Sequence, residues 1–396
     1  MTENKIGIDD ISFATSHHLL DLRELAEHQG VDVGKYYVGI GQSQMSVLAE
    51  DEDIVTMGAE AAKRIVDAHG ADKIRTVLFA TESGVDQSKA AGVYVHGLLD
   101  LPRNCRVVEL KQACYSGTAA LQFALGIVSR NPDEQVLVIA SDSARYALDS
   151  SGESTQGAGA VAMLVTADPR LLVIEPTTGL YTRDVHDFWR PHYLSHALVD
   201  GKFSMSAYLD AVEGAYRDHE TRGGQPIQEV DRFCYHQPFT KMAIKAHAHL
   251  QALAGRVLDR EESQRQLGPS LELNRRVGNT YTASLFLGVL SLLNHDSADL
   301  AGSRMALFSY GSGAVAEYFT ALVQPGYRSV LRASEDEARL AARTPLEYAR
   351  YRELHERVDL VDGTEFATPR VTAAPFRLAG VHEDVRRYEP TRPTTP

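Results

Sequence analysis

The sequence predicts an α/β fold in which one structural unit occurs twice. Short apolar runs rich in β-branched residues alternate with longer helical patterns, as in sheets covered by helices on both faces. The same order of patterns then returns in the second half. "GAGAVAMLV" at 157–165 returns as "GSGAVAEYF" at 311–319, and the turn and helix at 112–128 return at 277–293. This recurrence indicates an internal duplication.

The strand-like segment "TVLFATE" at 76–82 has a counterpart in "RFCYHQP" at 232–238, again in matching order. We therefore predict an N-terminal half over residues 1–168 and a C-terminal half over residues 169–396. The C-terminal half is expected to end in a variable tail, because the repeated pattern fades from about Gly326.

Individual elements follow from the apolar periodicity and from the residues that end it. Helices are predicted over 53–70 and 116–130, which end near Gly70 and Asn131-Pro132. The charged segment 334–358 indicates a solvent-facing helical region, and 388–396 is expected to be disordered. Buried strands are predicted over 74–82, 134–142, 159–167 and 170–176.

Composition excludes several classes of partner. A net charge of −13 argues against nucleic acid or an anionic membrane surface as the main partner, since both require a basic surface. No apolar run reaches about 18 residues, so we predict no membrane span. The N-terminus lacks a signal-peptide pattern. Three cysteines without metal-ligand spacing suit a reducing compartment, which predicts a cytoplasmic protein.

Three polar residues are predicted at corresponding strand ends or turns, where ligand sites gather in α/β sheets: Cys114, His236 and Asn279. Cysteine, histidine and asparagine can serve as nucleophile, acid/base and orienting amide. Cys114 is predicted at a helix N-terminus, which is expected to lower the pKa of its thiol. The alternative interpretations are an inert core thiol for Cys114, a structural histidine for His236 and an ordinary helix N-cap for Asn279. Cys105 and Cys234 are expected in the core.

Glu82 ends an apolar strand, where it either caps the next turn or serves as a base whose pKa is raised by partial burial. Lys241 and Lys245 are four residues apart on a predicted helix and either hold phosphates or form a solvated face. Histidine groups at 186–196 and 247–249 fit no common metal-site spacing, so no metal is predicted.

Seven motifs together resemble the 3-hydroxy-3-methylglutaryl-CoA (HMG-CoA) synthase family, and in particular its compact bacterial form that serves a mevalonate pathway. They are "ATES", "ACYSGTAAL", "TQGAGAVAML", "DFWRP", "YHQPFTKM", "GNTYTASL" and "FSYGSG". The resemblance runs in order from about residue 5 to 325. It implies a thiolase-like fold with two pseudo-repeats in five αβαβα layers, and a homodimer.

The resemblance also implies an activity, the condensation of acetyl-CoA with acetoacetyl-CoA and water, and roles for individual residues. Cys114 would be acetylated, Glu82 would be the general acid/base, and His236 would polarise the acetoacetyl ketone. No metal or redox cofactor is implied. Further residues would support the substrates: Asn279 near the thioester, Tyr146, Thr155 and Ser312 in the acyl pocket, Asp142 and Asp187 as acidic supports, and Lys241 and Lys245 near the pantetheine and phosphates of CoA.

Three other functions remain open. A polyketide β-branching synthase of the same family would use substrates carried on acyl carrier protein, with the same catalytic residues; Lys241 and Lys245 favour free CoA. A ketoacyl- or chalcone-type condensing enzyme shares the Cys-His-Asn set but needs no carboxylate at Glu82. A non-catalytic acyl-CoA-binding homologue is disfavoured by the presence of Cys114, Glu82 and His236.

Overall fold

A computed structural model describes residues 5–357 and 364–391 of the protein. The strands are β1 (Ile6–Thr15), β2 (His18–Asp21), β3 (Gln44–Val47), β4 (Ile74–Ala80), β5 (Arg106–Leu110), β6 (Gln135–Ser143), β7 (Ala158–Ala167), β8 (Leu172–Thr182), β9 (Phe188–Trp189), β10 (Leu198–Val199), β11 (Arg232–Tyr235), β12 (Arg304–Gly311), β13 (Val315–Val323), β14 (Thr344–Pro345), β15 (Phe366–Ala367), β16 (Phe376–His382) and β17 (Val385–Pro390). The α-helices are α1 (Leu22–Gln29), α2 (Ile54–His69), α3 (Ala91–Leu98), α4 (Ser116–Arg130), α5 (Gly201–Thr221), α6 (Thr240–Leu253), α7 (Arg260–Leu267), α8 (Glu272–Val277), α9 (Ser284–His295), α10 (Ala333–Ala341) and α11 (Tyr348–Glu356).

The main sheet repeats one pattern of strand pairing. Its order is β11-β12-β13-β8-β1-β7-β6-β4-β5. In the first half, β1 pairs antiparallel with β7, β7 antiparallel with β6, and β6 parallel with β4. In the second half, β8, β13, β12 and β11 pair in the same succession. The two parts meet where Gly7 and Ile8 of β1 pair with Val173 and Leu172 of β8.

Alternate side chains of each strand face opposite sides of the sheet and pack against different helices, which arranges the helices in layers. In β4, Phe79 belongs to the apolar cluster that includes α2, whereas Leu78 belongs to the cluster that includes α4 and α9. In β11, Phe233 packs with α5 and α6, whereas Cys234 faces the central cluster. The resulting order of layers is helix, first part of the main sheet (β1 and β4–β7), central helices, second part of the main sheet (β8 and β11–β13), helix. Residues 284–293 of α9 are all buried, as expected for a helix between two layers of strands.

The predicted helices and strands agree closely with the structure. The helix predicted over 53–70 is α2, which begins with a capping box at Asp53, and the one predicted over 116–130 is α4. The strand predicted over 170–176 continues to Thr182 as β8. The division at residues 168 and 169 falls between β7 and β8 and stays a prediction.

Three expectations were wrong in part. The segment 334–358 is helical, as α10 and α11, but Tyr351 is 1% exposed, so one face of α11 packs inward; residue 358 lies outside the described ranges. Tyr388–Pro390 pair within β17 instead of being disordered, while 392–396 are outside the described part of the chain. Cys105 is only partly buried, because it precedes the edge strand β5; Cys234 is buried as expected.

Within residues 5–357 and 364–391, no helix combines the length and the apolarity needed to cross a membrane.

Candidate active site

Cys114 lies in the turn between β5 and α4, as the sequence predicts. The preceding residue, Ala113, has a φ of +43°, which folds the chain back at this point. The Ser116 hydroxyl at the start of α4 donates to the carbonyl oxygen of Ala113 at 2.9 Å and holds the turn. Cys114 is 9% exposed and packs with Ala144 and Tyr281.

The thiol of Cys114 contacts the carboxyl group of Glu82, which follows β4. The Cys114 Sγ donates to Glu82 Oε1 at 3.1 Å. Burial raises the pKa of Glu82 to about 8, and the neighbouring Asp142 carboxylate adds to the rise. At neutral pH most Glu82 carboxyl groups therefore keep their proton, and the ionised form can accept the thiol proton of Cys114 without rearrangement.

The expected lowering of the Cys114 pKa was wrong. Burial, together with the adjacent Glu82 carboxyl, raises the pKa of the thiol well above its usual range. A helix N-terminus stabilises an anion by about 0.3–1 kcal/mol. Desolvation of a buried thiolate costs more than that, because burial shifts pKa values by up to about 3–5 units. The thiol consequently needs a base, and Glu82 is in contact with it.

Asp142 joins the Glu82 turn to a turn of the second half. Its Oδ1 accepts from Thr81 Oγ1 at 2.8 Å, from Glu82 N at 2.9 Å and from Ser83 N at 3.0 Å. Its Oδ2 accepts from the backbone and the hydroxyl of Thr282 at 3.1 and 2.5 Å. Asp142 is fully buried, and burial raises its pKa although the five donors offset part of the desolvation; the same hydrogen bonds fix the position of Glu82.

His236 is fixed through its backbone at the end of β11. Its N–H donates to the carbonyl oxygen of Phe308 at 2.8 Å, and its carbonyl oxygen accepts from the Tyr208 hydroxyl at 2.6 Å. His236 is 2% exposed, and burial lowers its pKa to about 3. The imidazole is therefore neutral at physiological pH and can offer a hydrogen bond but no imidazolium charge.

Asn279 serves both as a cap and as part of the site. Its Oδ1 accepts from Tyr281 N at 2.9 Å, which caps a short 3₁₀ turn, and its own N–H donates to the Thr155 carbonyl at 3.0 Å. The preceding Gly278 has a φ of +88°, and a Cβ there would lie 2.0 Å from the Gln156 carbonyl oxygen. Glycine is thus required where the turn after α8 touches the backbone just before β7.

A cavity brings most of the predicted residues together. Cys114, His236 and Asn279 line it together with the three predicted acyl-pocket residues, Tyr146, Thr155 and Ser312. Its other walls are mainly apolar or aromatic and include Phe188, Met205, Tyr208, Met242, Tyr281 and Tyr310. Glu82 does not line the cavity itself, but it contacts Cys114, which does.

The second acidic support, Asp187, is fully buried beside the cavity. Its Oδ2 accepts from the Tyr310 hydroxyl at 2.7 Å and from Ser204 Oγ at 3.3 Å, and its Oδ1 accepts from Gly313 N at 2.9 Å. The carboxylate therefore holds the turn after β12, which carries Ser312.

The two lysines of α6 lie outside the cavity wall. Lys245 is exposed, and its Nζ is 3.1 Å from the Sδ of Met205, which lines the cavity. Lys241 lies one turn earlier on α6 and is partly buried. This placement leaves both the phosphate-binding and the solvated-face interpretations open.

Sequence reasoning missed the residues that close the site from the β9–β10 hairpin. Phe188 packs against the Cys114 cluster, with its ring 5.9 Å from that of Tyr146 and 5.7 Å from that of Tyr281. Arg190 donates to the Glu82 carbonyl oxygen at 2.6 Å. Both belong to "DFWRP", but a two-residue strand has no periodicity that would place it over a pocket.

The residues that the structure describes contain no group of three or more histidine, cysteine or acidic side chains placed to hold a metal ion. In the histidine groups, His247 is buried, and burial lowers its pKa to about 4.

Comparison with protein-family models agrees with the resemblance in the sequence. The model for the N-terminal part of hydroxymethylglutaryl-coenzyme A synthase matches residues 2–169, and the model for the C-terminal part matches 172–254 and 251–369. Hydroxymethylglutaryl-CoA synthase of Enterococcus faecalis is 40% identical over 388 residues, which cover 97% of this chain and 99% of that protein. The polyketide biosynthesis 3-hydroxy-3-methylglutaryl-ACP synthase of Bacillus subtilis is 34% identical, covering 81% and 80%.

Solved structures are similar over almost the whole chain. An HMG-CoA synthase complexed with CoA matches with a TM-score of 0.91 and 40% identity, covering 98% of this chain and 100% of that one. MvaS in complex with 3-hydroxy-3-methylglutaryl coenzyme A matches with a TM-score of 0.90 and 35% identity, with the same coverage. These matches confirm the predicted thiolase-like fold.

Proposed function

Since the chain belongs to the hydroxymethylglutaryl-CoA synthase family, we propose that it condenses acetyl-CoA with acetoacetyl-CoA and water through an acetyl-enzyme at Cys114. The observation that carries these roles is the 3.1 Å contact between the Cys114 thiol and the Glu82 carboxyl group, beside a cavity that His236 and Asn279 line. The matches to HMG-CoA synthases support CoA thioesters as substrates.

The first step is acetyl transfer. As the Cys114 sulfur attacks the thioester carbonyl carbon of acetyl-CoA, its proton passes to the Glu82 carboxylate, which is already in contact with it. The C–S bond to CoA breaks, and the departing CoA thiolate takes up that proton. The products are acetylated Cys114, free CoA and an ionised Glu82.

The second step forms the carbon–carbon bond. Glu82 removes a proton from the acetyl methyl group, and the enolate carbon attacks the C3 ketone of acetoacetyl-CoA. The backbone N–H of Cys114 lies beside its own sulfur, where it can donate to the enolate oxygen. Neutral His236 donates a hydrogen bond to the developing alkoxide, which takes the proton held by Glu82. Water then cleaves the thioester, releasing 3-hydroxy-3-methylglutaryl-CoA and the Cys114 thiol.

The binding of CoA, the pathway that takes up the product and the cellular compartment are proposed from the same family membership. We propose that Lys241 and Lys245 bind the phosphates of CoA and that the product enters a mevalonate pathway for isoprenoids. The reaction needs no metal or redox cofactor, because carboxylate, thiol and hydrogen-bond donors supply each step. The three cysteines are free thiols, which suits a cytoplasmic enzyme.

A homodimer through the edge strand β5 is also proposed. This strand ends the main sheet, its Val108 is 40% exposed, and Phe123 on α4 is 54% exposed. A twofold axis pairs two copies of one edge strand antiparallel and covers such apolar groups. We expect Val108→Arg to sediment as a monomer and Val385→Arg, at a 49% exposed position, to remain dimeric. Equal masses for both variants would contradict this interface.

The mechanism is tested by intact-protein mass spectrometry with acetyl-CoA, followed by acetoacetyl-CoA. We expect one acetyl group on Cys114 that disappears on the second addition, no adduct in Cys114→Ala, and a normal adduct in Cys105→Ala. An adduct that persists in Cys114→Ala would refute the assignment. Acetylation by acetyl-loaded acyl carrier protein but not by acetyl-CoA would instead indicate a polyketide β-branching enzyme.

A further inference from the structure

The loop between β6 and β7, residues 144–157, forms one wall of the cavity. It contributes Tyr146, Gly152 and Thr155 to the lining. The ring of Tyr146 lies against Gly152 so closely that a Cβ there would be 2.5 Å from the ring. The shape of this wall therefore depends on the conformation of the loop.

The outer side of this loop is bonded to α11, a helix that is distant in the sequence. Gln156 Oε1 accepts from the backbone N–H of Tyr146 at 2.8 Å and from His355 Nε2 at 3.1 Å. Gln156 Nε2 donates to the Tyr351 hydroxyl at 2.9 Å. One carboxamide thus connects two residues of α11 to the backbone of a cavity-lining residue.

A buried carboxyl group completes the connection. The Tyr351 hydroxyl donates to Glu153 Oε1 at 2.9 Å, and Glu153 Oε2 accepts from Asp149 N at 2.7 Å and from Gln29 Nε2 at 3.1 Å. Glu153 is fully buried and Tyr351 is 1% exposed. Removing the Tyr351 hydroxyl would leave the Glu153 carboxyl group and the Gln156 amide buried without this hydrogen-bond partner, which destabilises the folded state.

We propose that Tyr351 and His355 are positioning residues, which hold Tyr146 and the rest of the loop against the acetyl group on Cys114. This inference rests on the proposed acetyl-enzyme. That thioester has two fates: condensation, or attack by water to give acetate and the free thiol. Water is needed only after condensation, so a fixed wall that limits the access of water to the acetyl carbonyl carbon protects the acetyl-enzyme, and a loosened loop favours its hydrolysis.

The test measures how the acetyl-enzyme partitions. Loss of the acetyl mass from Cys114 is followed with and without acetoacetyl-CoA, and the two rates are divided. This ratio is independent of the fraction of folded enzyme. We expect Tyr351→Phe to raise hydrolysis relative to condensation about tenfold, since it leaves buried groups unpaired beside the wall. The matched control is Tyr348→Phe, one turn earlier on α11, whose hydroxyl accepts from Arg352 at 3.2 Å and should leave the ratio unchanged.

A second pair of variants covers the case in which Tyr351→Phe does not fold. His355→Ala should raise the ratio, and His355→Gln, which keeps a donor, should restore it. If wild-type Cys114 is acetylated but the ratio is unchanged in Tyr351→Phe and His355→Ala, the positioning role is wrong. If wild-type Cys114 is never acetylated, the proposed function fails and this inference fails with it.

Discussion

Replacing Glu82 by glutamine should stabilise the protein while abolishing its reaction. Glutamine keeps the shape of the side chain and can still accept from Cys114, but it has no charge to desolvate. Burial raises the pKa of Glu82 from 4.5 to about 8, so the folded state resists ionisation of this group. Below pH 4.5 the folded and unfolded states both hold the proton. Between pH 4.5 and 8 only the folded state does, and the free energy of unfolding falls as the pH rises.

The loss of unfolding free energy follows from the difference between the Glu82 pKa of 4.5 in the unfolded state and about 8 in the folded state. This difference corresponds to an upper limit of about 5 kcal/mol above pH 8. Part of the Glu82 side chain is accessible, and solvent screening reduces the effect, so we expect roughly 2–3 kcal/mol. The stability gain of Glu82→Gln over wild type should therefore be small at pH 5 and largest at pH 9.

Urea unfolding of both proteins at pH 5, 7 and 9 measures this gain, and acetylation of Cys114 measures the chemistry. Glu27→Gln, at an exposed position of α1, is the matched control for the loss of a surface carboxylate. A gain that is constant from pH 5 to 9, or a less stable variant at pH 9, would refute the reasoning about burial. A Glu82→Gln enzyme with near wild-type turnover would refute the role as base.

Three further predictions concern the same site. In wild type, kcat/KM should rise with pH through about 8, because Glu82 must be ionised to accept a proton; a profile that falls over this range would contradict its role. Asp142→Asn replaces one acceptor oxygen by an amide N–H₂ group, which then faces the donors of either Glu82 or Thr282. We expect it to lower the free energy of unfolding by about 2–4 kcal/mol in urea titrations and to lower kcat by at least about tenfold. Gly117→Ala would put a Cβ 2.5 Å from the Thr282 carbonyl oxygen and should destabilise by about 1–3 kcal/mol, whereas Gly126→Ala, in open space on the same helix, should stabilise. Equal melting temperatures for the two glycine variants would show that the α4 contact tolerates movement.

The sequence by itself determined the features that depend on local pattern and chain order. Alternating apolar runs identified the strands, the echo of 157–165 in 311–319 identified the repeat, and the motifs identified the family. Cys114, His236 and Asn279 could be grouped from chain order alone, because the repeat places them at corresponding strand ends and turns. In the structure all three line one cavity.

Only the tertiary structure decided the electrostatics and the supports of the site. The direction of the Cys114 pKa depends on desolvation and on a carboxyl group 32 residues away, and neither is visible in the local helix-start pattern. Tyr351 reaches Glu153 across 198 residues of chain, from a helix whose charged sequence indicates only a solvent-facing surface. Periodicity records which face of an element is apolar, but desolvation and hydrogen bonding depend on which distant groups the completed fold brings into contact.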